Sequence, residues 1–353
     1  MSTATQPYKK KLLYEVSIIR PIVIFLLVLL HSFTKITSGG GGFSNDYQLV
    51  APYQWFCWLI SGFRIETIAL IAGYVFSYQS HVLGRKYTFC SFLWKKFKRL
   101  IIPMIVFGLI YDFCFLFKAE EFSVRSFVIT LLSGCGHLWF LPMLFWCFLA
   151  IWVIDRFHLS SWVTLILLAG LSIAPLPSLP LSFARLPHFI FYVYAGYFLW
   201  TKRAFLFDHC LKTSYIVVFW LLYVLLVVVV HLFLPETVSS MSTLQKGMVR
   251  GVSGLTKLLM SCCGIIALYL TVCKTTTKED YRPKQLVVNA SDDCYGIYVY
   301  HQFILVFLYF FTPIVTLCHP LIVPWIGFIV AFGLSLLFTK LTLKTKVGRF
   351  LIG

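Results

Sequence analysis

Two ionisable residues interrupt the first long apolar segment of the chain, SIIRPIVIFLLVLLHSF (residues 17–33). Arg20 and His31 are separated by ten residues, PIVIFLLVLL, that carry no polar side chain. In an α-helix a separation of eleven residues places both side chains on nearly the same face, about 16 Å apart along the axis. A guanidinium can hold an anion, and an imidazole can accept a proton from a reacting group. The spacing therefore predicts a site in which anion binding and acid–base chemistry occur at different depths.

Both residues also have simpler interpretations. A long basic side chain at the end of an apolar helix can extend to the membrane boundary without any further role. Pro21 favours the first turn of a helix, and a helix that began there would leave Arg20 outside it. His31 could be an interfacial histidine that takes part in no reaction.

The composition is that of an integral membrane protein. Of the 353 residues, 59% are hydrophobic and only 12% are charged, and the mean hydropathy is +0.86. Such a chain is expected to form a polytopic bundle of transmembrane α-helices in one domain, residues 1–353. The net charge of +17 does not indicate nucleic-acid binding, because the basic residues fall in short segments between apolar spans. Some of these cations could instead bind an anionic cofactor or lipid headgroups.

Hydropathy predicts about ten spans, at residues 16–33, 54–79, 100–117, 137–154, 162–179, 186–200, 214–234, 250–273, 294–312 and 320–340. With the N-terminus inside, most of the 30 Lys and Arg residues fall in the cytoplasmic segments. Both termini are therefore expected in the cytoplasm.

Two further clusters of polar residues lie within or beside these spans. Arg64 and Glu66 lie in the apolar segment ISGFRIETIALIAGYVF (residues 60–76), where they either line a polar cavity or join an ion pair between helices. The segment WKKFKRLIIP (residues 94–103) is either a solvated charge cluster or a phosphate site, and its cations are Lys95, Lys96, Lys98 and Arg99.

Two histidines accompany aromatic residues later in the chain. His137 and Trp139 begin the fourth span, where a tryptophan commonly anchors a helix at the membrane interface. Tyr298 and His301 lie within the ninth span, in an arrangement that usually reflects helix packing. A histidine in the middle of a span nevertheless needs a hydrogen-bonding partner. None of the common sequence motifs of soluble enzymes occurs, and neither does a predicted metal site.

The order of these clusters resembles the acyltransferase 3 family of membrane-embedded O-acyltransferases over nearly the whole chain. The first family motif, Arg and His with ten residues between them, matches Arg20 and His31. The other matches are Phe63, Arg64, Gly73 and Tyr74 in the second span; Lys95, Lys96, Arg99 and Pro103 at the basic edge; His137 to Leu141 in the H-L-W-F-L motif; and Tyr295, Gly296, Ile297, Tyr298 and His301 near the end. The chain departs from the family in its lysine-rich basic edge, in Glu66, where many members have proline, and in Cys294, where serine is usual.

The resemblance implies a reaction and a set of roles. The family transfers an acyl group, often acetyl, from cytoplasmic acyl-CoA to hydroxyls of carbohydrates, frequently surface polysaccharides or their lipid-linked precursors. It implies His31 as general base, with Arg64 and Glu66 assisting, and a bacterial inner membrane as the location. Formation of an acyl-histidine is the alternative role for His31. The donor phosphates would bind to Arg20, Lys95, Lys96, Lys98 and Arg99, and the acceptor would meet His137, Trp139, Tyr298 and His301.

Two other function classes remain open. A transporter or flippase would also place polar residues near the middle of the membrane, and broken helices or internal repeats would favour it. A non-catalytic membrane scaffold would not need Arg20, His31 and Arg64 to be buried together.

Overall fold

The structure is a computed structural model that describes residues 13–34, 50–84, 88–116, 136–159, 161–174, 180–234, 242–277 and 281–353, together with residues 125, 128, 129 and 132. These residues form an all-helical protein, and none of them lies in a β-strand. The first half contains α1 (Tyr14–Phe33), α2 (Ala51–Ser61), α3 (Arg64–His81), α4 (Phe89–Lys96), α5 (Ile102–Tyr111), α6 (Phe140–Arg156) and α7 (Trp162–Ile173). The second half contains α8 (Leu186–Thr201), α9 (Arg203–His209), α10 (Thr213–Phe233), α11 (Thr243–Thr276), α12 (Gln285–Phe311), α13 (Ile314–Leu317), α14 (Val323–Lys344) and α15 (Lys346–Ile352).

Seven helical segments in the described part of the chain are long and apolar enough to cross a membrane: Tyr14–Phe33, Ala51–His81, Gly136–Arg156, Thr213–Phe233, Gln245–Thr276, Gln285–Phe311 and Val323–Lys344. They identify an integral membrane protein. The third, fifth and sixth predicted spans correspond to shorter or interrupted helices, among them α7 and α8. The count of ten spans and the cytoplasmic placement of both termini stay predictions.

The first helix begins earlier than Pro21. Helix α1 starts at Tyr14, and Pro21 lies inside it. Arg20 is therefore helical, and its relation to the face of His31 holds as the spacing predicts. Helix α1 packs against α3, α12 and α14. This central position brings residues from both halves of the chain to one helix.

The second predicted span is broken at Gly62 and Phe63, so that Arg64 is the first residue of α3 and not a mid-helix residue. The break releases backbone carbonyl groups that a continuous helix would satisfy. The Tyr223 hydroxyl donates to the Leu59 carbonyl at 2.5 Å, and the Ser261 hydroxyl donates to the Gly62 carbonyl at 2.7 Å. Side chains from α10 and α11 thus satisfy the polar backbone at the break.

Helices α3 and α8 cross at close range through two glycines. A Cβ atom added at Gly73 would lie 1.7 Å from the Val193 carbonyl oxygen, and one added at Gly196 would lie 1.8 Å from the Leu70 carbonyl oxygen. Small residues permit such backbone contact between membrane helices. The crossing fixes the position of α3, which begins with Arg64.

The basic edge lies on a wider helical turn. A π-helical turn at Phe97–Ile101 joins α4 to α5, and Pro103 follows in the first turn of α5. Pro103 has no N–H to donate to the carbonyl of Arg99, four residues earlier. The Tyr295 hydroxyl of α12 donates to that carbonyl at 3.1 Å instead. Pro103 therefore does not end the helical segment, and the altered turn places the basic edge against α12.

Candidate active site

One elongated cavity of about 960 Å³ connects most of the residues that the sequence singles out. We call Arg20, Lys95, Lys96, Arg99 and Arg349 its basic end, and His31 and His137 its histidine end. Trp139 and Tyr298 also line the cavity, as do Ile65, Ile68 and Val75 on α3. The described lining residues do not include Lys98, Arg64, Glu66 or His301.

His31 is held by a second histidine from the far end of the chain. His31 Nδ1 lies 2.8 Å from His301 Nε2, and the two rings stack with their centroids 5.0 Å apart. His301 is fully buried and is not among the described residues that line the cavity. This contact supplies the hydrogen-bonding partner that a histidine in mid-span requires. It also favours an orienting role for His301 over the predicted direct contact with substrate, which stays a prediction.

Backbone carbonyls determine which nitrogen of each imidazole carries a proton. His301 Nδ1 lies 2.7 Å from the Tyr298 carbonyl oxygen and 3.2 Å from that of Ile297. A carbonyl can only accept, so Nδ1 of His301 carries the hydrogen, and Nε2 of the neutral ring is an acceptor. His31 Nδ1 must then donate to it. The Nε2 atom of a neutral His31 therefore keeps a free lone pair. His31 lines the cavity, so this lone pair can act on a bound substrate.

Two hydrogen bonds hold His137 against α12 at the histidine end. His137 Nε2 donates to the Val299 carbonyl at 3.1 Å, and the Tyr298 hydroxyl donates to the His137 carbonyl at 2.7 Å. His137 Nδ1 is buried and has no hydrogen-bond partner within the described residues. By the same tautomer argument, Nδ1 is an acceptor available to a hydroxyl. No group of three or more His, Cys, Asp or Glu in the described part of the chain could hold a metal ion.

Arg64 is a buried cation with unused hydrogen-bond donors in the described region. The residue is 6% exposed, and its Nε and Nη1 atoms have no hydrogen-bond partner among the described residues. Ile65 and Ile68, in the same first turns of α3, line the cavity. A buried guanidinium with unused donors is costly unless an anion, a developing negative charge or water satisfies it.

Glu66 contacts a residue that the sequence analysis did not consider. Its Oε1 atom lies 3.7 Å from Nε2 of His188, at the start of α8, whereas its Oε2 atom is buried without a described partner. The structure shows no contact between Glu66 and His31 in the described region. The predicted catalytic role of Glu66 stays a prediction. The contact with His188 does not support a role for Glu66 in orienting His31.

Four cations of the predicted donor site lie together at the basic end. Arg20 lies on α1, and Arg99 Nη1 donates to the Gly353 backbone oxygen at 2.6 Å. The Lys96 ammonium lies 3.3 Å from the ring centroid of Phe148. Burial, together with the charges of Arg99 and Lys95, lowers the pKa of Lys96 to about 7. Lys98 Nζ instead lies over Trp94, at 5.6 Å, outside the cavity lining.

Two further cations, Arg185 and Arg349, lie near the site. The Arg185 guanidinium lies 3.7 Å from the ring centroid of Trp139, where burial lowers the pKa of Arg185. Arg349, close to the end of the chain, lines the basic end. Neither residue lies in a local motif, so only the folded chain reveals these positions.

Comparison with known proteins supplies a family. A model of the Acyl_transf_3 family, described as an acyltransferase domain, matches residues 13–342. This match covers nearly the whole chain. No curated protein and no solved structure gives a significant match to the chain.

Proposed function

Because the chain belongs to the Acyl_transf_3 family of acyltransferase domains, we propose that it is a membrane-bound O-acyltransferase. It transfers an acyl group, most simply acetyl, from acyl-CoA to a hydroxyl group of a carbohydrate. The carbohydrate is a surface polysaccharide or its lipid-linked precursor, and the protein works in a bacterial inner membrane.

The single observation that carries this proposal is the continuity of the cavity. The same space reaches both the cations of the basic end and His31 of the histidine end. An acyl-CoA molecule has its negative charges at one end and its thioester at the other. It could therefore bind with its phosphates against the basic end while its pantetheine arm extends toward His31. Guanidinium and ammonium groups suit such phosphates.

The hydrogen bonds of His31 suit it for general-base catalysis. The lone pair on Nε2 takes the proton of the acceptor hydroxyl while the oxygen attacks the thioester carbonyl carbon. The carbon–sulfur bond of the resulting tetrahedral oxyanion then breaks. The CoA thiolate leaves and takes the proton back from the imidazolium. His301 holds the ring in the required orientation throughout.

Arg64 and His137 complete the proposed chemistry. The two unused nitrogens of Arg64 can donate to the oxyanion as negative charge develops on it. His137 Nδ1 can accept a hydrogen bond from a second hydroxyl of the acceptor, which suits a polyhydroxylated molecule such as a carbohydrate. Trp139 and Tyr298 offer aromatic surface to the same acceptor.

The experiment that tests the proposal measures thioester cleavage and transfer together. Purified protein in lipid nanodiscs is incubated with acetyl-CoA that is radiolabelled in the acetyl group, with and without a polysaccharide mixture. We expect slow release of free CoA without acceptor, and faster release with label on the polysaccharide when acceptor is present. A protein that binds acetyl-CoA but never cleaves it would contradict the proposal.

A transporter or flippase is the second candidate, and the break between α2 and α3 favours it. Broken helices form the central binding sites of many transporters. Here, however, Tyr223 and Ser261 already satisfy two of the released carbonyls. Uptake of a labelled glycolipid or sugar without any thioester cleavage would support this alternative.

A further inference from the structure

The last helix closes one side of the basic end. Helix α15 folds back against α14, α5 and the π-helical turn that carries Arg99. Its N-terminus is capped, because the Gly348 backbone N–H donates to the Thr345 hydroxyl at 2.9 Å. A Cβ atom at Gly348 would lie 1.9 Å from the Thr342 carbonyl oxygen, so the turn between α14 and α15 is tight. The cap and the tight turn therefore hold α15 in a defined position next to α14.

A direct contact ties the end of α15 to the basic end. Arg99 donates to the Gly353 oxygen at 2.6 Å, and Ile352, the last residue of α15, is buried. Arg349, Ile352 and Gly353 all line the cavity. Arg349 is itself exposed, in contrast to the partly buried Arg20. The cations of the basic end thus lie at two levels, with Arg20 inside and Arg349, together with Lys95 and Arg99, at the exposed mouth.

The chemistry of the donor matches these two levels. In a CoA thioester the pyrophosphate follows the pantetheine arm, and the ribose with its 3′-phosphate lies farther from the thioester. A donor whose thioester points toward His31 would therefore leave its 3′-phosphate at the mouth. A phosphomonoester of this kind carries nearly two negative charges at neutral pH.

We propose that Arg349 binds the 3′-phosphate of the acyl-CoA donor and makes the protein select CoA over 3′-dephospho-CoA. This inference rests on the proposed function, because it assumes that acyl-CoA occupies the cavity. A guanidinium can bind two phosphate oxygens at once through parallel N–H groups, whereas an ammonium acts as a point charge. Arg349 is thus a specificity-determining residue on α15.

The test compares the affinity for two ligands in three variants. Dissociation constants for acetyl-CoA and acetyl-3′-dephospho-CoA are measured in neutral detergent for the wild type, Arg349→Gln and Lys346→Gln. Lys346 provides the matched control, since it lies on α15 and is not among the described cavity residues. We expect the wild type to prefer acetyl-CoA by about tenfold or more, as a charge-assisted hydrogen-bond pair predicts.

The expected variant result is selective. Arg349→Gln should weaken acetyl-CoA binding and leave acetyl-3′-dephospho-CoA binding unchanged, so that the preference disappears. Arg349→Lys should retain part of the preference for acetyl-CoA, and Lys346→Gln should retain all of that preference. Equal weakening of both ligands in Arg349→Gln, or an unchanged preference, would overturn the proposal.

Two controls separate the possible failures. If the wild type binds neither ligand, the proposed acyltransferase function fails first. Phosphatidylglycerol is added as a competitor, because anionic lipid headgroups share the phosphate chemistry. If Arg349→Gln removes only the competition by lipid and keeps the preference for acetyl-CoA, Arg349 binds lipid headgroups and the inference is wrong.

Discussion

The two ends of the cavity are held in place in different ways. At the histidine end, His31, His301 and His137 each take a fixed hydrogen bond, and the acceptors are a buried nitrogen or backbone carbonyls. At the basic end, Lys95, Arg99 and Arg349 are exposed, and five cations share one region of the lining. At the first end hydrogen bonds fix single atoms in place, whereas the second end spreads its positive charge over several side chains.

This difference predicts different responses to substitution. Chemistry needs a single atom in a single place, so losing one hydrogen bond at the histidine end should cost a large factor in rate. Anion binding draws on several charges, so losing one cation should cost a small factor in affinity. Four predictions, in order of decreasing effect, test this contrast.

The largest of these four effects is expected at His301. His301→Phe removes the acceptor for His31 Nδ1 and frees the ring to rotate, so transfer should fall by about 100-fold with little change in donor affinity. His301→Gln offers an amide oxygen that can accept the same hydrogen bond, and it should restore part of the rate. Single-turnover transfer measures both variants. Equal loss in the two would indicate that His301 only fills space.

The second-largest effect on the transfer rate is expected at Arg64. Arg64→Lys keeps the charge but loses most of the donor geometry, so the rate should fall roughly 10- to 100-fold. The donor dissociation constant should not change, because the negative charge that Arg64 would stabilise develops only during the reaction. Thermal unfolding in detergent is the control for a stability effect. A variant with a normal transfer rate and a lowered thermal stability would indicate that Arg64 has only a structural role.

At the basic end the effects should be small and additive. Lys95→Gln should weaken acetyl-CoA binding by about three- to tenfold, and adding Arg99→Gln should multiply that effect. Raising the salt concentration should weaken wild-type binding more than binding to the double variant. Lys98→Gln is the matched control, since Lys98 lies outside the described lining. A stronger effect of Lys98 than of Lys95 would contradict the assignment.

Lys96 should add a modest pH dependence. Its pKa is lowered to about 7, so the ammonium is present below that pH and is lost as the pH rises above it. Acetyl-CoA binding should therefore weaken from pH 6 to pH 8 by about threefold more in the wild type than in Lys96→Arg, which stays charged. Binding titrations at four pH values measure the difference. Identical pH profiles would show that Lys96 does not titrate in this range.

Local patterns in the sequence predict the positions of Arg20 and His31. Their separation along one apolar helix carries the necessary information, and both residues line the cavity. The basic edge is similarly visible, because its four cations lie within five residues. Composition and hydropathy also predict an all-helical membrane protein.

Contacts between distant segments could not be predicted in the same way. His31 and His301 are 270 residues apart, and neither local sequence indicates the other as its partner. The break at Gly62 depends on Tyr223 and Ser261 from later helices, and the position of Glu66 depends on His188. Tertiary packing decides all of these. Arg349 belongs to the same group, since only the fold brings α15 to the cavity.

The central claim is that one end of the cavity reacts and the other binds. The most direct measurement determines acetyl-CoA affinity and single-turnover thioester cleavage side by side in wild type, His31→Ala and the double variant Lys95→Gln/Arg99→Gln. We expect His31→Ala to bind normally and to cleave about 1,000-fold more slowly, as the loss of a general base predicts. The double variant should bind weakly but cleave at the wild-type rate once saturated. Normal cleavage by His31→Ala would contradict the account.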